Sequence, residues 1–179
     1  MTKTPTGERV RLRFVTQAEL PVFQRFSKRD RGGFNDFGVG RRKIPDDAWT
    51  DGELRNKQRA ELFVERLEDG AIVGTIQYHR VSYGPNPRSG AWMLGIELVP
   101  GARGQGFGTE AQRLLADWLF ARTPANRIEA STDVENIAEA RSLEKAGFAR
   151  EGIARGAQFR AGAYHDLVLF ARLRGDDGR

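Results

Sequence analysis

Cysteine is absent from the 179 residues of the chain, and only two methionines and two histidines occur. Without cysteine there is no disulfide framework, no thiolate nucleophile and no Cys-type zinc site. No metal site is expected. The chain also has no uninterrupted apolar run of the ~18 residues that a membrane-spanning helix requires, so no membrane partner is expected. Its first residues, "MTKTPTGERVRLRF", lack the apolar stretch of a secretion signal, which predicts a cytoplasmic protein. No repeat or linker-like tract divides the sequence. One domain over residues 6–174 is expected, with short flexible ends at 1–5 and 175–179.

The remaining composition, 39% hydrophobic and 30% charged, is that of an ordinary folded chain. Lys and Arg number 29 against 24 Asp and Glu, a net charge of +5. A basic surface suits nucleic acid, acidic proteins or a polyphosphorylated cofactor. The basic clusters "KRDR" at 28–31 and "GRRK" at 40–43 carry no interleaved aromatics for stacking on bases, so nucleic acid is not the expected partner.

Periodicity supplies the elements. "RVRLRFV" (9–15) alternates as a strand does. Thr16 and Glu19 form a capping-box signal for a helix that carries Leu20, Phe23 and Phe26 on one face. The glycine-rich "RGGFNDFGVG" then interrupts regular structure, and the polar stretch 46–57 predicts a second helix. Two strands joined at "EDG" (68–70) read as a hairpin. "YGPNPRSG" (83–90) is a loop, and "AWMLGIELV" (91–99) is a strand that stops at Pro100.

Next comes "VPGARGQGFGTEAQRLLADWLF" (99–120), in which Phe107, Ala111, Leu114, Leu115, Trp118 and Leu119 share one side at helical spacing. "RIEASTD" (127–133) is a strand, and "ENIAEARSLEKAG" (135–147) is a helix stopped by Gly147. "FAREGIARGAQF" and "AYHDLVLFARL" make a closing antiparallel pair.

The glycines between Val99 and Gly108 suggest a loop whose backbone N–H groups hold an anion at a helix start. Spacing tests which anion. A P-loop requires lysine after its second glycine, where Phe107 stands. The dinucleotide fingerprint begun at Gly104 needs a third glycine where Thr109 stands. Begun at Gly106, it ends on Ala111 but lacks the acidic residue expected ~20 positions later at a strand end, although Glu129 lies in the vicinity. Arg103-x-x-Gly106-x-Gly108, after a strand and before an amphipathic helix, fits a third pattern completely.

That pattern resembles the pyrophosphate loop of the GNAT superfamily of N-acetyltransferases. The block "RIEASTDVENIAEARSLEKAGFAREG" resembles the family's next strand and helix, with a late asparagine and an "EKxGF" ending. "YHDLVLFARL" resembles the last strand of the branch that includes ribosomal-protein N-terminal acetyltransferases. The resemblance runs from about Arg9 to Leu173. It implies a mixed α/β (α+β) fold: a mostly antiparallel sheet of about seven strands flanked by about four helices. It also implies acetyl-CoA as cofactor, direct attack by a primary amine of a small molecule or protein N-terminus, and for this branch a homodimer. A CoA-binding sensor or interaction module without catalysis is the alternative.

By the same resemblance, coenzyme A lies where the strands at 93–99 and 127–132 part. Leu98 and Val99 pair with its pantetheine arm, while Arg103, Gly104, Gln105, Gly106, Phe107, Gly108 and Thr109 form the loop around its pyrophosphate. Phe107 also belongs to the apolar stripe. Asn136 contacts the arm or caps its helix. Arg141 lies near the phosphates or pairs with Glu139 or Glu144.

Glu97 is the candidate base, directly or through water; otherwise it is a strand-edge glutamate. His79 and His165 are lesser candidates, and Trp92 and Tyr164 with His165 are candidate walls of the acceptor pocket. The stretch 32–40, with Phe34 and Phe37, is a candidate lid. The tyrosine that commonly serves the family as acid is replaced by Leu143, and where the branch often carries a serine this chain has Glu139. The acid is therefore open.

Overall fold

A computed structural model describes residues 4–26, 34, 44 and 46–176. The elements in chain order are β1 (Val10–Phe14), α1 (Leu20–Phe26), β2 (Trp49–Thr50), β3 (Glu53–Leu54), β4 (Arg59–Arg66), β5 (Ile72–Ser82) and β6 (Gly90–Leu98). They continue with α2 (Phe107–Arg122), β7 (Arg127–Asp133), α3 (Ile137–Lys145), β8 (Ala149–Arg160) and β9 (Ala163–Leu173). Seven strands form one sheet in the order β1-β4-β5-β6-β7-β9-β8, and β2 and β3 form a separate small pair.

Two expectations need correction. Among the described residues there are three α-helices rather than about four. The stretch 46–57 is not a helix but a 3-10 turn (Asp46–Ala48) followed by the β2–β3 hairpin. The local signal favoured a helix because the stretch is polar and proline-poor. Tertiary packing prevailed: Leu54 and Ala48 are buried against Phe63 and Phe23, and the Leu54 amide donates to the Val15 carbonyl at 2.7 Å.

Alternation of side chains divides the sheet into two faces. On one face Leu62, Val64, Ile76, Trp92, Leu94, Ile128 and Ala130 pack against Phe107, Ala111, Leu115 and Leu119 of α2 and Leu143 of α3. The apolar stripe of α2 therefore covers the sheet as its spacing suggested. On the other face a smaller cluster gathers Val15, Phe23, Ala48, Leu54 and Phe63. The α1 region starts from Thr16, whose amide and hydroxyl both donate to the Glu19 carboxylate, at 3.2 and 2.8 Å.

One junction sets up the site. Every neighbouring pair in the large sheet is antiparallel except β6 and β7, which are parallel and pair only at Trp92, Met93 and Leu94, opposite Ile128, Glu129 and Ala130. β6 stays paired with β5 as far as Leu98, while β7 stays paired with β9 as far as Asp133. Beyond Leu94 and Ala130 the two central strands part, and the sheet opens.

Candidate active site

The gap between β6 and β7 is the floor of a cleft of about 420 Å³. Because the sheet is open there, side chains reach the cleft from both faces. Gln112 of α2 and Asn136 and Glu139 beside and in α3 come from the helical face. Phe23, Glu61, Gln77 and Glu97 come from the opposite face, and Ser131 and Asp133 from the end of β7.

Backbone alternation shows which edge groups face the gap. The Val99 amide donates to the Val73 carbonyl at 3.0 Å, so Val99 points at β5. Residues one and three positions earlier, Leu98 and Ile96, then turn their N–H and C=O toward the gap. Leu98 and Ile96 thus occupy the edge positions expected of Leu98 and Val99. The difference is one of register, which alternating apolar and polar residues near a strand end did not fix.

Past Val99 the chain makes a 3-10 turn (Pro100–Ala102) and an exposed glycine turn before α2. Gly104 and Gly106 sit at φ +72° and +84°, the left-handed region where a side chain is strained. Gly106 is the N-cap of α2, so the first-turn amides of a 16-residue helix open toward solvent beside the cleft without intrahelical acceptors. A Cβ on Gly108 would lie 3.4 Å from Leu98 Cδ1 and 3.6 Å from Ser142 Oγ, ordinary packing distances that place this turn of α2 against β6 and α3. Phe107 is buried in the core.

Arg103 turns back, its Nε donating to the Leu98 carbonyl at 3.0 Å. Gln105 reaches the Gly101 carbonyl at 2.7 Å. Arg9, a residue sequence reading passed over, donates from Nη1 to the Gln105 carbonyl at 2.6 Å and stacks 4.5 Å over the Phe107 ring. It comes from 96 residues away, just ahead of β1, so nothing local to the loop announced it. A short glycine turn, open helix amides and two nearby guanidinium groups fit a diphosphate, and the parted strands fit an amide-bearing arm.

Asn136 does two things at once. Its Oδ1 accepts from the Glu139 amide at 3.4 Å, capping α3, and its Nδ2 donates to Thr132 Oγ1 at 2.9 Å. Arg141 is exposed on α3. Glu139 turns away from it to the Gln112 amide.

The expected pocket walls lie elsewhere. Trp92 is a core residue, edge-on to Tyr78 at 5.1 Å, with Nε1 donating to Thr123 Oγ1. Tyr164 is 75% exposed and packs on Phe159 near the β8–β9 turn. His165 lies behind Asp133, 3.3 Å from its carboxylate, which also accepts from buried Arg160. His79 stands opposite Arg59 on β4, outside the cleft lining, and burial together with Arg59 lowers its pKa. Trp92, and His79 opposite Met93, stand on the paired side of the β6–β7 junction, away from the parted ends, and Tyr164 and His165 lie toward the β8–β9 turn. The candidate lid at 32–40 lies outside the described residues except for Phe34, which lines the cleft.

Glu139 has the most altered chemistry in the cleft. Burial pushes its carboxyl up to about 7, against the opposing hydrogen bond from Gln112. Gln112 is itself buried and held from both sides. Its Oε1 accepts from Ser142 Oγ at 2.9 Å, and its Nε2 donates to Glu139 Oε1. Leu143, at the position of the missing tyrosine, is fully buried in the core.

The family model for the acetyltransferase (GNAT) domain matches residues 9–149. The chain belongs to the GNAT acetyltransferases. The probable N-acetyltransferase YjcK of Bacillus subtilis is 32% identical over 134 residues, covering 68% of this chain and 72% of that protein. The ribosomal-protein-S5-alanine acetyltransferase of Vibrio fischeri shares the fold at a TM-score of 0.73, with 20% identity and 98% of each chain covered. So does the spermidine N-acetyltransferase of Vibrio cholerae, solved with CoA and spermine, at 0.71 and 16% identity, covering 93% of this chain and 96% of that one. GNAT enzymes use acetyl-CoA, and this acetyltransferase's parted strands and glycine turn are suited to it.

Proposed function

We propose that this enzyme acetylates a primary amine of a small cationic acceptor, in the cytoplasm, by direct attack on acetyl-CoA. The observation that carries the reading is the charge of the cleft. Among the described residues its lining carries the carboxylates of Glu61, Glu97 and Asp133, beside the buried carboxyl of Glu139, and no Lys, Arg or His, although the chain as a whole carries +5. Low-dielectric walls lined by one sign of charge concentrate the opposite ion. Asp133 is matched by Arg160 from behind, and Glu61 has Arg59 at 3.6 Å. Glu61 stands two strands across and two residues along from Glu97, about 12 Å between Cα positions. Negative charge spread over that length favours an extended diamine or polyamine over an acceptor with a single ammonium.

In this reading Leu98 and Ile96 hold the pantetheine arm and Asn136 supports it. Arg103 and Arg9, with the backbone of Gly104, Gln105, Gly106, Phe107, Gly108 and Thr109, hold the pyrophosphate. Bound acetyl-CoA supplies the acetyl group as a thioester. Glu97, on the face opposite the helices, receives the proton of the attacking nitrogen. That nitrogen becomes strongly acidic as its bond to carbon forms, so a carboxylate of ordinary basicity suffices.

The test is thiol release from acetyl-CoA against a panel of diamines, polyamines and peptides with free N-termini. Polyamines should turn over with a KM that rises with salt. Peptide acetylation with inert polyamines would reverse the acceptor assignment. Tight acetyl-CoA binding with no turnover of any amine would favour a non-catalytic CoA-binding module.

A further inference from the structure

The family tyrosine is missing, and its replacement, Leu143, is sealed in the core. The cleft nevertheless contains an acid one helical turn earlier on the same helix. We propose that Glu139 is the proton donor to the departing thiolate, with Gln112 and Ser142 as its positioning residues. The inference rests on the acetyl-transfer reading above.

Four side chains from two helices form a continuous hydrogen-bonded chain ending at the cleft. Ser142 Oγ donates to Gln112 Oε1, which spends its proton there. Thr109 Oγ1, 3.0 Å from Ser142 Oγ, must therefore donate to it. With its oxygen occupied, the Gln112 amide can only present N–H to Glu139, and Oε1 of the carboxyl receives it. The proton of a neutral Glu139 then belongs on Oε2.

Glu139 and Glu97 also stand on opposite sides of the parted strands, Glu139 from the helical face and Glu97 from the other. That separation gives one group to each half of the proton transfer. The groups lining the cleft with Glu139 include the carboxylates of Glu97 on β6, Glu61 on β4 and Asp133 on β7, the last held by Arg160 of β8. From α2 comes the neutral Gln112 amide, and from β8 the neutral Gln158. Burial favours the protonated acid, against the hydrogen bond from Gln112.

The amine nitrogen forms a bond to the acetyl carbon while the carbon–sulfur bond breaks and its electron pair goes to sulfur. Glu139 gives its proton to that sulfur, and Glu97 takes one from nitrogen. Solvent returns a proton to Glu139 and accepts one from Glu97, leaving acetylamide and free thiol.

The experiment compares wild type and Glu139→Gln with acetyl-CoA and with an acetyl ester of an aromatic thiol, whose thiolate leaves without help. Expected is a fall in kcat of about 100-fold or more with acetyl-CoA. CoA affinity by calorimetry should be unchanged, and the two proteins nearly equal on the aromatic thioester. The alkaline fall in kcat governed by Glu139 should vanish in the variant. A kcat within a few-fold of wild type, or an equal loss on both donors, overturns the assignment. Wild type that binds CoA but acetylates no amine breaks the transfer reading instead. The Glu139 carboxyl is then read by 13C NMR with and without CoA, and an ordinary glutamate titration unmoved by CoA overturns the present inference on its own.

Discussion

The two halves of the proposed site, the glycine turn and the cleft, are built by opposite strategies. The stretch from Arg103 to Thr109 is seven consecutive residues that present mainly backbone, two of them glycines held at positive φ. In the proposed reading the acceptor half is built from side chains: Glu61, Glu97, Asp133 and Glu139 stand on four different elements and line one cleft where the sheet parts beyond Leu94 and Ala130. A backbone-built site depends on conformation and tolerates most side-chain exchanges outside its glycines. A side-chain-built site depends on placement, and each of its members acts through charge. The halves should therefore fail differently.

The sharpest separation comes from Glu97→Gln, which keeps shape and removes the base. It should lower kcat by about 100-fold to 1,000-fold while acetyl-CoA affinity by calorimetry stays the same. A parallel loss of affinity would merge the halves. Next is Gly106→Val. A β-branched residue at φ +84° forces the turn to rearrange, a strain of about 1–3 kcal/mol. Acetyl-CoA Kd should rise about 10-fold to 100-fold, with kcat at saturation little changed and Tm only slightly lower. Unchanged affinity would remove the loop from the cofactor site.

Glu139 provides a test that needs no ligand. Its folded pKa, about 7, lies above the ordinary carboxyl value of 4.5, so between those values the folded state binds more protons than the unfolded one. The stability it contributes is fully present below pH 4.5 and is lost as pH rises through about 7. Relative to Glu139→Gln, wild type should lose about 1–3 kcal/mol across that window, measured by urea unfolding. A pH-independent difference would place an ordinary, solvated carboxylate there. The smallest effect is expected from Glu61→Gln, a partly screened group near Arg59. The KM for a polyamine should rise about 5-fold, more at low salt, with kcat and acetyl-CoA binding unaffected.

Much of the architecture was legible in the residues. The strand at 127–133, the apolar stripe of α2 and the closing hairpin each follow from periodicity, and Gly147 ends α3 at φ +91° as its position suggested. The β2–β3 hairpin was not, because nothing inside 46–57 records that Leu54 will be buried against Phe63. At the site, the asparagine at 136 could be read as cap or ligand contact, and the structure shows the cap directly. Trp92 and Tyr164 looked suited to a pocket wall by residue type alone. Their strand positions put one in the core and the other beyond the cleft.

By itself the sequence determined the family, the glycine turn before α2 and the absence of any cysteine chemistry, because each is written in contiguous residues and local backbone preference. Only the tertiary structure decided what the cleft contains. Arg9 reaches the loop from just before the first strand, Gln112 meets Glu139 across two helices, and four carboxyl groups line one cleft of a basic protein. Those meetings depend on sheet order and on where two parallel strands separate, and burial, which sets the proton affinity of Glu139, exists only once the chain has folded.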